Sequence, residues 1–568
     1  LQAQMDGRTA HLRLAAGEGH ARDPRLAFEG ELGAVVGIGT LIDRVQALEW
    51  LHPRARGRSA WTVGVEVPRD TGGDDAPPSL VLRSDLRGTT LDLPAPLARP
   101  AGAALAAEVR VELPLDGGNE LAVRLGQRMA LRARVDGDAT GLAIALGGAA
   151  AAAPPASGVV LGGRTAEFAV MDWLGLLGGA GGDGDGEGGS MPLRRIDLAV
   201  DRLSLMGGSF PDTRIRAAPA AGGTALGFEG PALAGSLQLP DGRGPVIGRF
   251  ERVHWQRTPP VAGAAARARG AAPADDSSDP ARLPALQIDV ADLRLGDARL
   301  GEASLRTRPV ADGLQLERLQ VRAPGQAIDA TGEWRGRGSA QRTRVQLDID
   351  SQDYGALLAG LGQGERLRGG NGRIGFAAAW PGSPTGFRVE ALEGRLSLLV
   401  KDGQLADVEP GAGRVLGLLS VAELPRRLTL DFRDFFERGF AFNRIGGEVH
   451  FADGRARAQG LALEGPAAEI RIGGSADLRA QTYDQTIDVH PRSGNLLTAV
   501  GALAGGPIGA AVGAAAGSVL RRPLGEIGAS TYHVTGPWSD PQVEVIRREP
   551  HRAETGAQPP PDADAPAE

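Results

Sequence analysis

Apolar and polar residues alternate through most of the chain, in short segments separated by turn residues. In one such segment, Leu286, Ile288 and Val290 alternate with Gln287 and Asp289. Side chains two positions apart lie on the same face of a β-strand, so each segment has one apolar and one polar face. The pattern predicts a mainly β protein whose strands have one face in water and one face covered.

The inward positions of the clearest strands form a predicted apolar face. They are Leu286, Ile288, Val290, Leu293, Leu295, Leu314, Leu316, Val345, Leu347, Ile349, Leu396, Leu398, Ile470 and Ile472. Near residue 316 the alternation predicts that Leu316 points inward and Glu317 outward.

Turn signals between the segments indicate how the strands are connected. The dipeptides Asp312-Gly313, Asp402-Gly403 and Asp453-Gly454 each lie between alternating runs and predict β-hairpins. Helical runs of the length that parallel strands need as crossovers are rare. We therefore predict a long, curled antiparallel β-meander with a few short helices near the C-terminus.

Changes in composition divide the chain into segments. Residues 149–157 and 178–190 are rich in Ala, Pro or Gly and break the strand pattern. The predicted organisation is a first β part (1–258), a disordered linker or loop (259–282), a second β part (283–492), an apolar helical segment (493–523), closing strands (524–548) and a disordered tail (549–568).

The segment 493–520 has no charged residue and a glycine at every fourth position from Gly501 to Gly517. Glycines with this spacing allow close packing of helices. The segment is long enough to span a bilayer, although Ala and Gly give it a low hydrophobicity. We expect a buried or membrane-touching helical hairpin, with contact to the outer membrane as a hypothesis.

Composition excludes several classes of function. The chain has 568 residues, 85 glycines, 4% aromatic residues and no cysteine. Disulfides, thiol nucleophiles and cysteine-bound metals are therefore excluded. The net charge of −7 comes from interspersed charges of both signs, and no basic block indicates a nucleic-acid partner.

Motifs for cofactors or catalysis are weak. Residues 184–189 and 370–375 both match GxGxxG, but neither lies between a strand and a helix, and we interpret both as loops. The eight histidines are isolated from one another. We predict no catalytic residues, no metal and no cofactor, and therefore no enzyme.

One region is distinctive enough to indicate a family. Residues 408–454 join an apolar helix-like run, which stops at Pro425, to strands with period-two alternation. This region closely resembles the C-terminal part of YhdP-type proteins, members of the AsmA-like superfamily of the Gram-negative envelope. The segments 84–102, 351–362, 465–478 and 532–546 resemble further parts of the same family.

The resemblance implies a function that the residues alone do not. Members of the family look like periplasmic proteins that an N-terminal helix anchors in the inner membrane. We expect that this helix is missing from the present chain. Family members carry phospholipids between the inner and outer membranes along a U-shaped β-sheet with an apolar interior. The resemblance implies that the fourteen inward positions contact phospholipid acyl chains, and it supplies no catalytic residue.

Two alternatives remain open. The first is a structural or regulatory envelope protein whose groove is filled by its own chain, without lipid flux; residues 493–520 are a candidate filling segment. The second is an enzyme or adhesin on a parallel β-helix. Such solenoids favour rungs of fixed length and stacked asparagines, and the dispersed Asn119, Asn371, Asn443 and Asn495 argue against it.

Overall fold

Strands dominate the computed structural model, as alternation predicts. The structure describes residues 2–5, 8–16, 25–43, 51–69, 77–114, 117–137, 139–173, 192–242, 244–257, 279–363, 366–405, 440–466, 468–491 and 529–548. The chain divides into a first unit, Leu1–Ala271 with Pro284–Gly296, and a second unit, Ala272–Leu283 with Asp297–Glu568.

The first unit contains seventeen described strands and a short helix. They are β1 (Gln2–Met5), β2 (Arg8–Ala16), β3 (Leu26–Gly37), α1 (Ile38–Ile42), β4 (Ala55–Pro68), β5 (Ser79–Ser84), β6 (Thr89–Leu91), β7 (Ala107–Glu112), β8 (Gly117–Leu125), β9 (Met129–Asp136), β10 (Ala139–Leu146), β11 (Gly158–Ala169), β12 (Leu193–Leu205), β13 (Gly208–Ala220), β14 (Gly223–Glu229), β15 (Leu233–Pro240), β16 (Val246–Arg257) and β17 (Leu286–Leu295).

The second unit continues with the same kind of element. Its strands and helix are β18 (Ala298–Val310), β19 (Gly313–Ala323), β20 (Gln326–Arg335), β21 (Arg342–Ser351), α2 (Tyr354–Gly360), β22 (Leu367–Pro381), β23 (Glu393–Leu405), β24 (Phe440–Ala452), β25 (Arg455–Glu464), β26 (Ala468–Asp477), β27 (Thr482–Pro491), β28 (Ser530–Pro537) and β29 (Gln542–Arg548). Short 3-10 helices lie at Pro280–Arg282, Gly338–Ala340, Pro384–Gly386 and Val389–Ala391.

The predicted fold class is confirmed: the protein is mainly β, with few helices and a long meander. From β18 to β29 of the second unit, strands that follow one another pair antiparallel wherever their register is described. The U-shaped groove concerns the overall shape and stays a prediction.

Parallel pairing in the first unit differs from the purely antiparallel prediction. Strand β11 pairs parallel with both β10 and β12, and β16 pairs parallel with β17. In each case an Ala-, Pro- or Gly-rich segment separates the two strands in sequence and is long enough to return the chain to the starting edge. The connection between β10 and β11, residues 147–157, is described throughout and contains no helix.

Two local predictions about glycines are wrong. Asp312-Gly313 and Asp453-Gly454 form hairpin turns, but Asp402-Gly403 lies inside β23. There Asp402 has φ 54° and is skipped in the pairing with both neighbouring strands, so the dipeptide forms a kink instead of a turn. Asp tolerates this left-handed conformation in either setting, which is why the sequence did not distinguish them. Residues 370–375, expected to be a loop, lie in β22.

Several predictions fall outside the described residues. These are most of the motif at 408–454, most of the linker 259–282, the segments 178–190 and 493–523, and the tail 549–568. Among the described helices, none is both long and apolar enough to cross a membrane. The segment 351–362, which resembles part of the family, contains α2.

Candidate lipid-contacting face

A row of directly paired apolar residues crosses fifteen neighbouring strands of the first unit, and we call it the central ladder. Its members, one from each strand, are Leu12, Leu32, Val63, Leu82, Val109, Val123, Leu131, Ile144, Leu161, Ile196, Ala217, Leu226, Leu237, Gly248 and Ile288. No polar side chain interrupts it. Because paired residues in neighbouring strands lie side by side, the ladder is a continuous aliphatic band.

The central ladder is less buried than the core of the unit. Apart from Ala217 and Gly248, which are buried, all its members are partly exposed to solvent. Large aliphatic residues that make up a core are usually fully buried, and a long apolar band partly in water indicates a surface that binds something apolar.

A compact core adjoins the central ladder on the same face of the first unit. It is formed by buried residues that include Leu198, Leu203, Phe210 and Leu233. Burial of these large side chains stabilises the unit. Five ladder residues pack against this core, so the core partly covers the middle of the ladder: Ile144, Leu161, Ile196, Leu226 and Leu237.

The opposite face of the same strands is charged. Arg110 contacts Glu66 at 2.8 Å, and Arg214 binds both carboxylate oxygens of Asp197 at 2.6 and 2.8 Å. Hydrogen bonding from Arg214 holds the pKa of Asp197 below its usual range. This face is therefore hydrated and paired within itself, and the strands are amphipathic.

The crossover between β10 and β11 runs over the charged face. Ala151 of the crossover packs with Ala130 and Ala145, which alternate with ladder residues and so lie on the opposite side. At Gly141 a Cβ atom would lie 1.6 Å from the carbonyl oxygen of Pro155. The small residues on that side make room for the crossover, and the apolar face remains clear of it.

The second unit repeats the amphipathic arrangement. One of its ladders joins Leu305, Leu319, Ala330, Leu347, Phe376, Leu396 and Val449, and a parallel one joins Val321, Ile328, Ile349, Ile374 and Leu398. On the other face Arg322 contacts both carboxylate oxygens of Asp329 at 2.7 and 2.9 Å. The hydrogen bond from Arg322 is the main reason why the pKa of Asp329 is lowered.

The fourteen predicted positions differ in exposure. Ten are partly buried: Leu286, Ile288, Val290, Leu293, Leu314, Leu316, Val345, Leu347, Ile349 and Leu396. Leu295 is exposed, whereas Leu398, Ile470 and Ile472 are buried, with Ile470 at 0% exposure. The structure places Leu347 and Ile349 of β21 on the same face as Leu396 and Leu398 of β23, with β22 between the two strands. Contact of any of these residues with lipid stays a prediction.

Sequence reasoning missed the part of the face that lies before residue 286. None of the first fourteen central-ladder residues was predicted, although Val63 and Leu82 lie in strands with clear alternation. That alternation was a usable signal. Alternation within a strand does not give the register between strands. Only the pairing shows that the apolar positions of fifteen strands line up.

The described titratable residues do not form a metal site: no three His, Asp or Glu side chains among them converge. The closest polar cluster is His254, Asp292 and Arg294, where Asp292 contacts His254 at 2.7 Å and Arg294 at 2.9 Å. Hydrogen bonds from Arg294 and then His254 lower the pKa of Asp292. A carboxylate whose pKa is lowered by hydrogen bonds from an arginine and a histidine is poorly suited to accept a proton as a general base.

Comparison with known proteins identifies the family of the chain. The sequence model of the YhdP protein family matches residues 1–543. The chain belongs to this family. One curated relative is the intermembrane phospholipid transporter YhdP of Escherichia coli (strain K12), which is 26% identical over 525 residues. The match covers 89% of this chain but only 40% of that protein's length. No solved structure gives a significant match.

Proposed function

We propose that this chain forms part of an intermembrane bridge in the periplasm of a Gram-negative bacterium, along which phospholipids move with their acyl chains on the apolar sheet face. The observation that carries the proposal is the uninterrupted, partly exposed central ladder. Membership of the YhdP family and the phospholipid transporter among its relatives support the choice of cargo.

The energetic reason for such a face is the cost of exposing acyl chains to water. Each CH₂ group costs about 0.8 kcal/mol to expose, so a two-chain phospholipid faces a barrier of tens of kcal/mol. Neighbouring strands are spaced about 4.8 Å apart, and the central ladder offers an aliphatic side chain or a glycine at every step. A lipid moving across the strands keeps nearly constant apolar contact, which lowers the barrier.

The attachments of the bridge are part of the proposal. We propose an inner-membrane anchor through a helix that precedes this sequence in the full-length protein, and outer-membrane contact through residues 493–520. The second idea rests on the absence of charged residues in that segment. A peptide of residues 493–520 that failed to bind liposomes would refute it.

One observation favours the alternative of a groove filled by its own chain, without lipid flux. Ile470 and Ile472 are buried, while Leu316 and Leu347, predicted to have the same role, are partly exposed. A residue already covered by protein has no surface left for an acyl chain. The alternative therefore has its strongest support at the C-terminal strands of the second unit.

Site-specific photo-crosslinking in cells tests the proposal. A crosslinking residue is placed at Leu316, which is partly buried, or at Glu317, which is exposed and contacts Arg308 at 2.7 Å. We expect phospholipid adducts at position 316 and none at 317. Adducts at neither position, in protein that is folded and correctly located, would support the self-filled alternative. A third probe at Ile470 compares the C-terminal strands directly.

A further inference from the structure

The apolar face of the first unit ends differently at its two edges. Strand ends near Ser84, Ala107, Leu125 and Leu146 form one edge, which we call the closed rim. Strand ends near Pro68, Ser79, Glu112 and Asp136 form the opposite edge, which we call the open rim. The central ladder lies between them.

Protein covers the closed rim. Here a second ladder joins Trp61, Ser84, Ala107, Leu125, Met129 and Leu146. Trp61 is 6% exposed because Leu86 and Leu105, from the segment 85–106, pack on it together with Ile38 of α1. We call the segment 85–106 the strap.

The strap is fixed by hydrogen bonds to the strands and turns around it. Gly126 donates its backbone N–H to the oxygen of Ala106 at 2.7 Å, and Arg128 donates to the oxygen of Ala98 at 2.7 Å. Trp173 donates its ring N–H to the oxygen of Ala95 at 2.9 Å. These contacts hold the strap along this edge of the sheet.

No such wall covers the open rim among the described residues. Leu14 and Val65 belong to one further ladder, and they are 58% and 37% exposed. Leu113 follows the inward residue Val111 by two positions and is 39% exposed. At β2, β4 and the end of β7 the apolar side chains of the open rim are therefore more exposed than Trp61 at the closed rim, whereas Ala133 of β9, in the same ladder as Val65, is buried.

We propose that phospholipids lie on this face with their headgroups at the open rim, and that they enter and leave over that rim alone. This inference rests on the proposed function. A phosphate group is costly to bury without partners. At the closed rim Arg99 is 2% exposed and donates to the backbone oxygens of Thr89 and Ala103, so it is not available at the surface as a headgroup partner.

Because the chain has no cysteine, single cysteines can report on lipid position. A fluorophore is attached to Val65→Cys at the open rim, Leu105→Cys in the strap, Val123→Cys in the central ladder, or Ala122→Cys on the charged face. Each purified protein is loaded with phosphatidylcholine that carries a nitroxide quencher either on the headgroup or at the end of an acyl chain.

The expected pattern separates the two rims. The headgroup quencher should act at least about twice as strongly at position 65 as at position 105, because quenching falls steeply with distance. The acyl-chain quencher should act at position 123, and neither should act at position 122. Ala103→Cys provides a second strap position if the Leu105 variant unfolds.

The failures are distinguishable. Equal headgroup quenching at positions 65 and 105 would overturn the inference about the rims while leaving the proposed function intact. No acyl-chain quenching at position 123, in protein with an unchanged circular dichroism spectrum, would overturn the proposed function and the inference with it.

Discussion

Val123 and Ala122 are consecutive in β8, yet they belong to different environments. Val123 pairs with Val109 and Leu131 in the central ladder, whereas Ala122 pairs with Arg110 and Arg132 on the charged face. This relationship gives a matched pair of positions at which the same substitution should have opposite consequences.

Val123→Asp is expected to reduce the phospholipid that copurifies with the protein by at least about tenfold, equivalent to about 1.4 kcal/mol. A carboxylate in the ladder must keep its water, and it therefore breaks the apolar band. Because Val123 is partly exposed, the fold should survive the change. Ala122→Asp faces two arginines and should leave the lipid content nearly unchanged, as measured by mass spectrometry. Equal loss in both variants would contradict the assignment of the faces.

Gly141→Ala is expected to destabilise the first unit by about 1–3 kcal/mol through overpacking. The new methyl group would meet the oxygen of Pro155, a backbone atom of the crossover, which cannot move aside without distorting it. Gly227→Ala in β14 is the control, because no atom lies within 4 Å of its Cβ position. Thermal unfolding should show a lower midpoint for the first variant only.

Asp329 should contribute to stability in a pH-dependent way. Arg322 lowers its folded-state pKa, so the stabilisation is present above the unfolded-state pKa of about 4 and is lost as the pH falls through the lower folded-state value. The pair is largely exposed, so the contribution is at most about 1 kcal/mol. At pH 7 the Asp329→Asn variant should have a slightly lower thermal unfolding midpoint than wild type.

Unfolding measurements at low pH test that prediction. Wild type and Asp329→Asn should converge in unfolding midpoint as the pH falls below the folded-state pKa. Arg322→Gln should behave like Asp329→Asn, and the double variant should add little. A constant difference between wild type and Asp329→Asn at all pH values would exclude the ion pair as its cause.

The Tyr354 hydroxyl should lose its proton at a higher pH than an ordinary tyrosine. Burial at the start of α2 raises its pKa to about 12, and its hydroxyl donates to the oxygen of Ile349 at 2.7 Å. Its contribution to stability is complete below the usual tyrosine pKa of about 10 and declines as the pH rises towards 12.

Ultraviolet titration checks this assignment, since the chain has three tyrosines. The difference between the wild-type and Tyr354→Phe curves should give a phenolate transition near pH 12, and the variant should lose about 1 kcal/mol of stability at pH 7. A difference curve centred near pH 10 would mean that the hydroxyl reaches solvent.

Alternation was sufficient to predict the strands and which side chains share a face. Leu347 and Asp348 lie on opposite faces, as period-two spacing requires. The parallel pairing of β11 could not be foreseen, because its residues alternate just as those of an antiparallel strand do. Direction is decided by where the preceding crossover returns, and the crossover from β10 carries no helical pattern.

The solvent exposure of a side chain was harder to predict than the face of the sheet on which it lies. Leu316 and Ile470 occupy equivalent positions in the alternation, but one is partly exposed and the other is buried. The difference depends on what packs against each strand, which is a long-range property. The same limit explains why the strap was recognised as a distinctive segment but not as the cover of one rim.

The registration of the central ladder has a consequence for how such a protein can change in evolution. Fifteen strands spaced about 4.8 Å apart give the ladder a length of about 70 Å. Gain or loss of one hairpin would alter that length by about 10 Å and leave the chemistry of every remaining step unchanged. Under the proposed function, hairpin number is therefore a simple heritable means of matching the protein to envelopes of different width.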